Sequence, residues 1–125
     1  METLLAIPIK CQFDTQEEDD GFYGVTYYFP DEYIEQNLPH YIAICRDEME
    51  DPESLYIECD NQKNGFTTNQ IAYSFHGNVL TLTLGEDSNY FFPWRKEKEF
   101  SIAFLLPAEL EESKRIIPHI FNFKK

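Results

Sequence analysis

An α+β domain is what this chain predicts: an antiparallel β-sheet of about six strands with a C-terminal helix packed on one face. Three observations carry the prediction. Period-two alternation runs through Ile71, Tyr73 and Phe75 and again through Leu80, Leu82 and Leu84, the mark of half-buried strands. Asn64-Gly65 and Gly77-Asn78 bound these runs and supply the backbone freedom that hairpin turns need. After Pro107 the period changes, and Leu110, Ile116, Ile117, Ile120 and Phe121 make a helical stripe able to pack on a sheet.

In chain order, Leu4–Phe13 reads as a first strand, with Pro8 placing it at an edge. Asp14–Asp20 is an acidic loop, and Val25–Phe29 is a β-prone second strand. Pro30–Gln36 suits a short helical turn with acids at its start, and Tyr41–Cys45 is the next strand. Asp47–Glu53 is a second acidic loop. Runs beginning at Leu55, Phe66 and Val79 form an expected three-stranded meander over 55–84. An aromatic cluster, Tyr90 to Trp94, precedes a last strand, Glu99–Leu106. Pro107 then opens the helix at a favourable first-turn position, and Pro118 should kink or stop it near Ile117. No repeat or linker divides the chain, so residues 1–125 are expected to form a single domain.

Charge narrows the function. The chain holds 23 acids against 10 bases, a net charge of −13. Residues 1–62 contain 16 acids and 2 bases, while residues 63–125 contain 7 acids and 8 bases. Phosphates repel such a surface, so nucleic acid and anionic membranes are poor partners. A basic protein would be steered toward it, although acidity also serves solubility alone. Three cysteines lie far apart, which suits buried free thiols in a reducing compartment better than a disulfide or zinc framework. The start, Met1-Glu2-Thr3, has neither a basic segment nor a long apolar one. A cytoplasmic location without a membrane span is therefore expected.

Each candidate site has a structural alternative. Asp60, Gln62, Asn64 and Gly65 echo the first half of a calcium loop, but Ile71 stands where a bidentate Glu belongs, so a hairpin turn is the better reading. His40, His76 and His119 belong to no nucleophile motif, and no phosphate loop or metal-ligand run appears. No catalytic residue, metal or cofactor is expected, and the chain reads as a binding protein. Glu17, Glu18, Asp19 and Asp20 in the first acidic loop are candidates for contact with a basic partner. So are Asp47, Glu48, Glu50 and Asp51 in the second, with Glu58 and Asp60 just beyond. The alternative for these loops is a solvated surface. Tyr90 and Trp94 are candidates as aromatic anchors, the alternative being a loop clamped on the core. Edge-to-edge pairing of a strand such as Val25–Phe29 would give a homodimer.

The segment Tyr56-Ile57-Glu58-Cys59-Asp60-Asn61-Gln62-Lys63-Asn64-Gly65, followed by a strand, a turn and Val79–Leu84, resembles the tenth family of immunity proteins from bacterial polymorphic toxin systems. In that family a similar polar segment leads into two strands, then a hydrophobic strand and a C-terminal helix ending in Ile-Phe. Here Phe100–Leu106 and Pro107–Phe121 correspond, with Ile120-Phe121 as the ending. The resemblance spans residues 55–121. It implies an intracellular, non-catalytic antidote that binds and neutralises a cognate toxin, a basic nuclease-type effector. The alternative is a small acidic adaptor or nucleic-acid mimic that occupies another basic protein.

Overall fold

A computed structural model describes residues 4–16, 21–36, 38–86, 90–91 and 98–122. Among these, nine strands form two sheets: β1 (Leu4–Ala6), β2 (Lys10–Gln16), β3 (Phe22–Tyr28), β4 (Tyr41–Asp47), β5 (Leu55–Cys59), β6 (Phe66–Thr68), β7 (Ile71–His76), β8 (Val79–Leu84) and β9 (Glu99–Ala103). One helix, α1 (Pro107–Ile120), follows, and short 3₁₀ helices occupy Asp31–Gln36 and Gln62–Asn64. The larger sheet runs β2-β3-β4-β5-β6, antiparallel throughout, and the smaller runs β1-β9-β8-β7. The fold is α+β, with the C-terminal helix packed on the larger sheet.

Three expectations change. The single sheet becomes two, and the meander is shared between them: β5 ladders with β4 and β6, whereas β7 and β8 join β9. The short strand β6 folds back onto the edge of β5 that β7 would have used. The chain then turns away at Thr68, whose hydroxyl accepts from the Gln70 N–H at 3.0 Å. The first strand is likewise broken near Pro8, which has no N–H to offer a ladder. Its first part, β1, pairs parallel with β9, and its second, β2, pairs with β3 and continues through Asp14 to Gln16. Asp14 therefore belongs to β2 and not to a loop. Finally, β3 is flanked by β2 and β4, so Val25–Phe29 has no free edge along the paired length and cannot join two copies.

Alternation dictates which face of the larger sheet is filled. Ile42, Ile44 and Arg46 of β4 are buried, as are Leu55, Ile57 and Cys59 of β5, while their neighbours are half-exposed. The buried face receives α1 and the smaller sheet. Tyr27 Oη meets Ser113 Oγ of the helix at 2.7 Å, and the rings of Tyr27 and Phe29 pack on Phe104 and Phe100. Ile116, Ile117 and Ile120 are fully buried, each contributing roughly 1.5–3 kcal/mol of transfer free energy. A helix of 14 residues is marginal alone, so this docking stabilises it.

Of the two outcomes expected at Pro118, a kink or a stop near Ile117, the stop does not occur: the helix passes through Pro118 to Ile120. Pro118 and Lys114 are both exposed. The carbonyl that loses its partner is thus on the solvent side, where water can satisfy it. At the helix end the buried Arg46 donates to the carbonyls of Ile120 and His119, the first at 2.8 Å and the second at 2.5 Å, placing a cation at the negative pole of the helix. Tyr23 stacks on His119 beside it, ring centroids 4.5 Å apart. One hydrophobic core runs through both sheets and the helix. No described helix is long and apolar enough to cross a membrane.

Candidate functional site

Because α1 and the smaller sheet lie on one face of the five-stranded sheet, the other face is the surface the alternation leaves over. Register shows what it carries. Asp14, Gly24, Cys45 and Tyr56 form one row across four strands; Gln12, Thr26, Ala43 and Glu58 form the next; Lys10, Tyr28 and Tyr41 form a third. Small side chains thus floor the centre, and aromatic ones stand toward the ends, with Phe22 opposite Asp47 at the far end.

Glu58 is the hub of this face. It accepts hydrogen bonds from Tyr41 Oη at 2.5 Å and Tyr56 Oη at 2.7 Å. Burial and these bonds push Tyr56 up to about 12 and raise Tyr41 as well, so both phenols stay protonated. Tyr56 lies so close to the β5–β6 turn that only a glycine fits there: a Cβ on Gly65 would stand 1.9 Å from its hydroxyl oxygen. Tyr28 is held by Gln12, its Oη donating at 3.2 Å, and lies under Lys10 Nζ, 5.6 Å from the ring centre.

The second acidic loop rims the Phe22 end. Asp47 Oδ1 turns back to accept from the N–H groups of Met49 at 2.9 Å and Glu50 at 3.3 Å, which fixes the loop. Glu48 is taken up by Arg46, at 3.2 Å. Glu50 and Asp51 stay exposed, and with Phe22, Cys45, Asp47 and Tyr56 they surround a dimple of about 190 Å³. Cys45 at its floor holds its proton tightly, first because it is buried and then because Glu58, Asp14 and Asp51 surround it. Acids from β2, β5 and the loop therefore act on one point.

The predicted site residues thus separate. Asp47, Glu50, Asp51 and Glu58 share the open face, joined by Asp14. Asp60 sits at its Tyr41 end with φ +63°, accepting from the His40 N–H and lying 3.3 Å from His40 Nδ1. Its carboxylate fastens the chain entering β4, and the turn that follows is the expected hairpin connection between β5 and β6. Glu48 is diverted to Arg46. Tyr90 lies at the smaller sheet, under Lys98 Nζ at 5.2 Å, and is not brought to the open face; its neighbour Phe91 is fully buried against Phe100. Glu17, Glu18, Asp19, Asp20 and Trp94 lie outside the described residues.

Sequence reasoning missed Phe22, Tyr28, Tyr41 and Tyr56. The parity of β4 and β5 held the signal, since residues alternating with Ile42, Ile44 and Ile57 must face away from the core. The same parity puts Arg46 inside.

Chemically the face offers acceptors, negative charge and aromatic surface. The dimple is smaller than the roughly 300–1,000 Å³ usual for small-molecule sites. A larger hollow, about 580 Å³, lies by Asn69, Gln70, Ile71, Thr83 and Gly85, and no titratable side chain lines it. Burial raises all three thiols, Cys11, Cys45 and Cys59, above their ordinary value, so none is set up as a nucleophile at neutral pH. No group of three metal-ligating side chains occurs among the described residues. No protein-family model, curated protein or solved structure matches the chain.

Proposed function

We propose that this protein is a non-catalytic immunity protein that binds and neutralises a cognate bacterial toxin of the basic, nuclease type. Its binding surface is the open face of the five-stranded sheet. The observation that carries this reading is the convergence of Asp14, Glu58 and Asp51 on the Cys45 position, beside Tyr56 and Phe22. Aromatic groups set among carboxylates are what a lysine- or arginine-rich surface engages best, by ion pairing and by cation–π contact. The concentration of acids in residues 1–62 supports the same partner, because an approaching basic protein is attracted before it touches. The toxin as partner rests on the resemblance of residues 55–121 to the tenth immunity family.

The test is co-expression with the protein encoded by the adjacent gene. The reading expects the chain to restore growth to cells making that protein and to co-purify with it. It expects Glu50→Lys/Asp51→Lys/Asp14→Lys to lose both effects while remaining folded. Growth inhibition that the chain does not relieve would reject the immunity role. Capture of a different basic protein through the same face would favour the adaptor reading.

A further inference from the structure

We propose that the chain forms a two-fold dimer by pairing β7 with β7 of a second copy. Strand β7 is an end strand: it ladders with β8, and no strand lies beyond it among the described residues. Its open side can be identified from the hairpin. Gly77, with φ +60°, and Asn78 make the two-residue connection between His76 and Val79. The closing pair of such a loop is hydrogen-bonded, and bonded pairs then alternate back along the ladder through Ser74 and Ala72. The far side of β8 agrees: the Leu84 N–H donates to the Lys98 carbonyl at 2.7 Å, and the Asn78 carbonyl accepts from Phe104 at 2.9 Å, so this parity faces β9. The N–H and C=O groups of Ile71, Tyr73 and Phe75 consequently point away from the sheet, and no backbone bond among the described residues takes them up.

Three features select a second copy as the occupant. The outward positions are symmetric about Tyr73. Antiparallel pairing of β7 with itself sets Ile71 opposite Phe75 of the second copy and Tyr73 opposite its own equivalent, giving about six hydrogen bonds with no donor left over. Next, β7 contains no Lys, Arg, Asp, Glu or Pro, the residues by which edge strands refuse pairing. Last, a second copy of a chain with net charge −13 is repelled by the acidic half. Residues 63–125, which include β7, hold 7 acids against 8 bases, and β7 itself carries no acid, so pairing through β7 adds little to that repulsion. The dimer uses the smaller sheet and stands whether or not the acidic face binds a toxin.

Sedimentation of the full chain over rising concentration tests it. Ala72 and Ser74 are exposed, and in the symmetric register each faces the other across the dimer, so Ala72→Lys/Ser74→Lys puts like charges in contact without touching the core. The expected result is a monomer–dimer equilibrium whose dissociation constant rises by about tenfold or more in that variant, with an unchanged urea midpoint at concentrations where both proteins are monomeric. Mixing it with Ala72→Glu/Ser74→Glu should restore the dimer. A chain that stays monomeric at its highest soluble concentration overturns the proposal, as does a dimer indifferent to the lysine pair or a mixture that fails to re-associate.

Discussion

Arg46 Nε lies 2.8 Å from the carbonyl oxygen of Ile120, joining the end of β4 to the last turn of α1 across 74 positions of sequence. The guanidinium also reaches His119 and Glu48 and is only 3% exposed. Arg46→Met should keep the packing volume but leave buried helix carbonyls without donors. A loss of about 2–3 kcal/mol is expected, read from urea denaturation. A change below roughly 0.5 kcal/mol would mean that water replaces the guanidinium without cost.

Tyr27 and Ser113 form the second tie between sheet and helix, fully buried at 2.7 Å. Tyr27→Phe should cost about 1–2 kcal/mol, because the serine hydroxyl is left buried and unpaired. Adding Ser113→Ala removes that orphan. The double variant is therefore expected to lose less than the two single losses together. Strict additivity would show that the bond contributes nothing to stability.

Gly65→Ala would drive a methyl into Tyr56, 1.9 Å from its hydroxyl oxygen. The ring must swing off Glu58, at a cost of about 1–2 kcal/mol. In a Tyr56→Ala background the same change should be nearly neutral, measured by thermal unfolding. An equal penalty in both backgrounds would place the strain in the backbone instead.

The pH dependence has a definite sign. Burial raises Cys11, Cys45 and Cys59 above the thiol value of 9.0, and raises Tyr27, Tyr41 and Tyr56 above the phenol value of 10.0, Tyr56 to about 12. Between the ordinary and the raised value the folded chain binds more protons than the unfolded one, so stability falls as pH rises. The contribution is complete below 9.0 and declines through 10.0 toward about 12. The urea midpoint should fall between roughly pH 8 and pH 11; a constant midpoint would contradict the burial of these groups.

Much of the fold was legible because alternation survives wherever one face is buried. Ile71–Phe75 and Leu80–Leu84 appear as read, and the helix begins at Pro107. Partition into two sheets was not legible. It depends on Phe66–Thr68 taking the edge of β5 and on the break at Pro8, both decided by tertiary pairing, to which a single strand's pattern is blind. Pro118 misled for a similar reason: its penalty is small where the freed carbonyl meets water. At the site, Asp47, Glu50, Asp51 and Glu58 were readable as acids. What they do was not, because Glu58 gains its meaning from Tyr41 and Tyr56, brought beside it by the β4–β5 register.

The most direct measurement is the association rate of the chain with the proposed partner, a basic toxin domain, followed over a range of salt concentrations. Wild type should associate faster than Glu50→Lys/Asp51→Lys/Asp14→Lys by about tenfold or more at low salt, and the gap should close as screening increases. Equal rates at low salt would contradict the open acidic face as the binding surface.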